Sequence, residues 1–212
     1  MPTELITPVQ INAAGTILQG DAGLVPASTG LVVFAHGSGS SRHSPRNQYV
    51  AAILRDSGLS TLLFDLLTTR EEAIDDRTAE YRFDIPFLAR RLVAVTDWLE
   101  TQDWAGNPRL GYFGASTGAA AALIAAAERP GRVAAVVSRG GRPDLALEVL
   151  PRVRAATLLI VGGRDHPVIG MNEQAFARLS EPKLLQIVPG ATHLFEEPGT
   201  LERVAELAAQ WF

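Results

Sequence analysis

Short apolar runs alternate along the chain with longer stretches in which apolar residues recur every three or four positions. The runs at 31–35, 61–65, 109–113, 133–138, 157–162 and 184–188 are rich in Val, Ile and Leu. Continuous rather than alternating apolar patterning predicts strands covered on both faces. Segments 6–12 and 16–19 flank Ala14-Gly15 and predict an antiparallel hairpin on the sheet edge. Helices are expected at 45–57, 84–102, 117–128, 144–150, 169–179 and 198–211. In 84–102, Phe87, Leu88, Leu92, Val95, Trp98 and Leu99 fall on one face, which makes that helix amphipathic. The polar stretch 66–83 is expected to be a solvated loop, with a small flap over the sheet as the alternative. The connection 139–156 is too short for a helical cap domain. Strand–helix alternation of this kind predicts an α/β fold, a mostly parallel central sheet with helices on both faces. The expected organisation is a single domain over residues 1–212.

Composition narrows the function classes. Of 212 residues, 47% are hydrophobic and 20% charged, which excludes a disordered chain. The formal net charge is −4, and no basic face is evident, so nucleic acid is not an expected partner. Cysteine is absent, which removes disulfides, zinc–thiolate sites and a thiol nucleophile together. The first residues carry no basic segment followed by an apolar stretch, and the run 119–127 is too short to span a bilayer. The expectation is a cytoplasmic protein with no membrane partner, as a monomer or homodimer. Neither phosphate-loop nor dinucleotide glycine patterns occur, and no His/Glu spacing suits a metal, so no cofactor and no metal are expected.

The chemistry concentrates at Gly114-Ala115-Ser116-Thr117-Gly118, a G-x-S-x-G between an apolar strand and an Ala-rich helix. A strained strand-to-helix turn there would lift Ser116 Oγ above the sheet as a nucleophile. Without that turn, Ser116 would be an ordinary helix N-cap. Serine needs a base, and the four histidines are His36, His43, His166 and His193. His193 follows the last strand, on a loop that can reach Ser116. Asp165, in Gly163-Arg164-Asp165 after the preceding strand, is the expected orienting acid, and Asp144 is its rival. The order Ser116, Asp165, His193 is the one a nucleophile elbow uses. The Thr117 N–H is the first expected oxyanion donor. The second comes from His36-Gly37-Ser38-Gly39: Ser38 N–H, with Gly39 as the alternative and as a substrate contact. His36 is expected to brace that loop. Arg139, in Ser138-Arg139-Gly140-Gly141, is a candidate for binding a substrate carboxylate, with Arg46 and Arg70 as helpers.

On the strength of the His36–Arg42 loop, the G-x-S-x-G elbow, Gly163-Arg164-Asp165 and Ala191-Thr192-His193, the chain resembles an α/β-hydrolase. It most resembles small, lidless esterases similar to dienelactone hydrolase, over nearly its whole length. The resemblance implies an α/β-hydrolase fold without a large cap domain, and a Ser116–His193–Asp165 triad. Dienelactone hydrolases themselves use a Cys nucleophile and a Glu near the oxyanion loop. This chain has Ser116 and the His-Gly-Ser-Gly turn in their place. The expected activity is therefore hydrolysis of small or medium carboxylic esters. A lactonase or thioesterase is the alternative, and a non-catalytic binding protein of the same fold is the alternative from another class.

Overall fold

The computed structural model describes residues 5–106, 108–180 and 182–212. Eight strands form one sheet among the described residues: β1 (Leu5–Ala13), β2 (Thr16–Leu24), β3 (Gly30–Ala35), β4 (Ser60–Phe64), β5 (Arg109–Ala115), β6 (Val133–Arg139), β7 (Ala156–Gly162) and β8 (Lys183–Val188). Their spatial order is β1-β2-β4-β3-β5-β6-β7-β8. β1 and β2 form an antiparallel hairpin, β2 runs antiparallel to β4, and every later pairing is parallel. β2 is longer than its sequence predicts, because Gly20 and Gly23 sit in it without breaking it. A Cβ on Gly23 would lie 2.6 Å from Arg55 Cδ, so the small residues make room for a side chain crossing the strand.

Among the described residues six α-helices connect or follow the strands: α1 (Pro45–Asp56), α2 (Thr69–Thr78), α3 (Ile85–Leu99), α4 (Thr117–Glu128), α5 (His166–Arg178) and α6 (Thr200–Trp211). None is long and apolar enough to cross a membrane among the described residues. The parallel strands alternate between two cores. Leu31, Val33 and Ala35 of β3 face the α3 and α4 side, with Leu88, Leu92 and Ala120. Val32 and Phe34 face Val50 and Leu54 of α1 and Val204 of α6. α4 is apolar nearly all round and correspondingly buried. Its alanines let it pack close beneath the strand ends.

Two expectations fail. Stretch 66–83 is not a solvated loop, because it contains α2. Thr68 and Glu71 form a reciprocal capping box at its start. Glu71 also pairs with Arg91 of α3 at 2.5 Å. The helix carries little apolar surface, so its stability comes from caps and ion pairs, which apolar periodicity does not register. Segment 144–150 is not an α-helix but runs between and into two single-turn 3-10 helices, Pro143–Ala146 and Leu150–Arg152. Pro151 lacks an N–H and disfavours helical geometry in the residue before it.

Candidate active site

β5 runs directly into α4 at Ser116, which holds φ 50° and ψ −121°. A non-glycine residue in this region is strained by roughly 1–3 kcal/mol. The neighbouring glycines enforce the turn. A Cβ on Gly118 would lie 2.2 Å from Ala35 O and 2.4 Å from His36 O, and one on Gly114 would lie 2.4 Å from Ala119 Cα. The Ser116 carbonyl accepts from Ala119 and Arg142 N–H, each at 3.1 Å, and its N–H donates to Arg139 O at 3.3 Å. The side chain makes no capping bond to its helix and reaches solvent. The elbow therefore presents a hydroxyl rather than spending it as an N-cap.

Asp165 and His193 come from the loops after β7 and β8. The loops are tied by Arg164 N–H to Ala191 O and Gly163 N–H to Val188 O, both at 2.9 Å. His193 Nδ1 lies 2.6 Å from Asp165 Oδ2. Donation from Nδ1 leaves Nε2 as a free acceptor. The rival acid, Asp144, is engaged elsewhere, by Arg142 Nε at 2.9 Å and Nη2 at 2.8 Å. The imidazole sits over Gly140, where a Cβ would lie 3.6 Å from His193 Cε1. No hydrogen bond joins Ser116 Oγ to Nε2 in this structure. Such contacts tighten on substrate binding. His43 and His166 are exposed.

The loop after β3 crosses the nucleophile, and a Cβ on Gly37 would lie 3.1 Å from Ser116 Cβ. Ser40 N–H donates to Gly37 O at 3.2 Å. Gly39 takes the third position of that turn with φ 66°, where glycine is unstrained. The N–H groups of Ser38 and Thr117 donate to no acceptor among the described residues. The Ser38 and Thr117 hydroxyls lie 2.9 Å apart, which ties the two segments together. His36 supports the loop from behind. Its Nε2 accepts from Leu66 N–H at 3.0 Å, and its Nδ1 faces Gly37 O at 2.9 Å. Burial pushes its pKa below the usual histidine value, against the opposing Gly37 bond and Asp65 charge, so the ring is neutral.

A second support comes from the segment after α2 and could not be read from sequence. Ser38 Oγ donates to Arg82 O at 3.2 Å. Arg82 is clasped by Asp75, whose carboxylate accepts from Tyr81 N–H (2.7 Å), Arg82 N–H (2.9 Å) and Arg82 Nε (2.6 Å). Burial pushes the Asp75 pKa up, but these bonds and the Arg82 charge outweigh it, leaving the value below the ordinary carboxylate range. Between this clasp and the loop lies a small solvent-open pocket of about 60 Å³, lined by Ser38, Gly39, Leu66, Asp75, Arg82 and Leu88. Ser116 is not part of its wall. Arg139 ends β6, in register with Ala115, and is buried. Arg46 begins α1 nearby and bonds Glu196, whereas Arg70 is exposed on α2.

A mostly parallel sheet with a serine elbow beneath an acid–histidine pair defines the α/β-hydrolase class. Within that class the chain belongs to the dienelactone hydrolase family, which residues 31–211 match. A solved dienelactone hydrolase from Anabaena variabilis is 57% identical, covers 99% of this chain and 97% of its own, and superposes with a TM-score of 0.97. XC6422 from Xanthomonas campestris, described as a serine hydrolase without a lid, shares the fold at 21% identity and a TM-score of 0.73, over 99% of this chain and 94% of its own. A Mycobacterium tuberculosis protein named "Putative phosphoribosyl transferase" is 56% identical over 96% of this chain. This chain spans 45% of that relative's length. The transferase name is said of that longer protein.

Proposed function

We propose that this hydrolase is a serine esterase that cleaves small carboxylic esters through an acyl-enzyme. The observation that carries the reading is the strained Ser116 elbow, whose hydroxyl caps no helix and lies near the Ser38 and Thr117 N–H groups, which donate to no acceptor among the described residues. His193 Nε2 takes the Ser116 proton as Oγ attacks the carbonyl carbon. Asp165 holds the ring's tautomer and stabilises the imidazolium that forms. The tetrahedral oxyanion lies against the Thr117 and Ser38 amides, at the positive end of α4. Collapse breaks the bond to the alcohol, which leaves with the proton from His193. Water, deprotonated by the same ring, then attacks the acyl carbon and releases Ser116.

A lactone is an ester closed on itself, and the name of the Anabaena relative favours that substrate form as a second reading. The test is hydrolysis of p-nitrophenyl esters from acetate to decanoate, with a panel of lactones and thioesters beside them. Ser116→Ala is assayed in parallel. The proposal expects turnover in the wild type and at least a thousandfold loss in the variant, as when one member of a triad is removed. Wild-type turnover in the variant would refute it.

A further inference from the structure

The turn that follows β6 seats both the nucleophile and the base. Arg139 O accepts the Ser116 N–H at 3.3 Å, and Arg142 N–H donates to Ser116 O at 3.1 Å. Residues 139–142 therefore grip the strained serine by both of its main-chain groups. His193 rests on the same turn, since a Cβ on Gly140 would lie 3.0 Å from His193 O and 3.6 Å from His193 Cε1. Two successive glycines form the middle of the turn, and Gly140 holds φ 51°. Gly141 has no room for a side chain, because its Cβ would lie 1.9 Å from Ser138 Oγ and 2.7 Å from Ala119 Cβ. Main chain without Cβ atoms is permissive, so hydrogen bonds rather than side-chain packing decide where this turn lies.

Two such bonds fix its middle. Gly140 N–H donates to Ile160 O of β7 at 2.8 Å. Gly141 O accepts Asn172 Nδ2 at 3.0 Å. Asn172 lies in the second turn of α5 and is 0% exposed. Its Nδ2 also donates to Val168 O at 2.8 Å. Val168 N–H in turn donates to Asp165 O at 3.0 Å. One buried amide thus links the first turn of the helix that begins at the orienting acid to the turn that supports the nucleophile and the base. Asn172 Oδ1 is buried and accepts nothing from the described residues. An amide with an unmet acceptor is a costly core residue, and Asn is a weaker helix former than Leu. The gain from Asn172 lies in its two donors, and one of them leaves the helix for Gly141.

We infer that Asn172 is a positioning residue for hydrolysis: through Gly141 it holds the turn that sets Ser116 and His193 relative to Asp165. The inference rests on the esterase reading above and adds a residue that touches no reacting atom. Without the amide, Gly141 O is left buried with no donor, a state the chain relieves by moving the turn. Arg139 O and Arg142 N–H move with it, and so do the Ser116 main chain and the seat of His193. A shift of about 1 Å between reacting groups costs about a hundredfold in rate. Substrate binding is left alone, because Asn172 is sealed from solvent.

Kinetics with p-nitrophenyl butyrate and the rate of fluorophosphonate labelling test this in the full chain, well below the Tm of each variant. Asn172→Leu keeps the volume of the side chain and removes both donors. It should lower kcat by about 10- to 100-fold, keep KM within about threefold of wild type, and slow labelling by about the same factor as kcat. Ala175→Gly, buried in the same helix, weakens α5 without touching the turn and should leave kcat within about twofold. Asn172→Asp supplies a readout that lost stability does not give. A carboxyl group buried between two carbonyl oxygens keeps its proton, and one donor, at low pH and repels both oxygens once ionised. The ratio of its kcat to that of wild type should be highest near about pH 6 and fall towards about pH 9. That variant carries the test if Asn172→Leu does not fold. A kcat within about twofold of wild type in Asn172→Leu, a flat pH ratio in Asn172→Asp, a loss confined to KM, or an equal loss in Ala175→Gly overturns the inference. If the wild type turns over no ester, the esterase reading fails separately, and the labelling rates decide the positioning role. A wild type that neither cleaves esters nor takes the label overturns both.

Discussion

Replacing Asp75 with Asn should slow catalysis from a position outside the triad. The substitution keeps the side chain's shape but removes its charge. It also turns one acceptor oxygen into an NH₂ that faces donors. Three hydrogen bonds from Tyr81 and Arg82 converge on this carboxylate, which is 3% exposed. Breaking a fully buried ion pair costs about 3–5 kcal/mol. The Arg82 side chain keeps 23% of its surface in water, so the cost here is nearer ~2–3 kcal/mol. In a domain of this size that lowers Tm by roughly 4–12 °C. The same energy holds Arg82 O against Ser38 Oγ, and so holds the Ser38 amide in place. One lost oxyanion donor is worth about 2.7–4 kcal/mol in the transition state. Partial displacement of Ser38 should therefore lower kcat by about 10- to 100-fold with little change in KM, because the donor acts on charge that develops during reaction. Thermal melts and p-nitrophenyl butyrate kinetics, run on the same preparation well below Tm, read both quantities. A variant whose Tm falls while kcat stays within twofold of wild type would show that the clasp holds the fold only. An unchanged Tm would refute the hydrogen-bond account itself.

Two further outcomes follow from the same geometry. Gly118→Ala should yield no soluble folded enzyme, because its Cβ would meet two backbone carbonyls of the β3 end that cannot yield; a soluble variant with native circular dichroism would contradict this. His36 has a pKa lowered by folding, so the unfolded chain takes up its proton first. Its contribution is complete above the ordinary pKa of 6.5 and is lost as pH falls below it, at no more than about 1.4 kcal/mol per pH unit. Urea titrations between pH 5 and 7.5 should show stability falling on the acid side, and His36→Gln should flatten that slope; equal slopes would refute the buried neutral ring.

The parallel sheet was legible because its strands are buried on both faces and leave uninterrupted apolar runs, and the lack of a cap followed from a short β6–β7 connection. The serine elbow was legible because glycine is needed at both 114 and 118, where any Cβ would collide with backbone. The acid–histidine pair could be placed on neighbouring loops with Asp165 preferred to Asp144, although both follow strands at the same sheet end; the coordinates add that His193 bonds Asp165 while Arg142 holds Asp144. What escaped the sequence depended on contacts without a period. α2 is polar, and its one local sign, Thr68 with Glu71 three residues on, lay in a stretch with no apolar stripe. The Asp75–Arg82 clasp joins a helix to the turn after it, and its importance comes from Ser38, 44 residues upstream of Arg82. The reach of β2 through Gly20 and Gly23 also escaped, because glycines read as breaks until the side chains crossing them are known. Arg139 was visible as a charge at a strand end, but not as a buried one.

The account stands most directly on Ser116 as the nucleophile. A fluorophosphonate probe should phosphonylate the folded protein once, and peptide mass spectrometry should place the adduct on Ser116. Ser116→Ala should abolish labelling and ester turnover together. An adduct on another residue, or ester hydrolysis that survives both the probe and the substitution, would contradict the account.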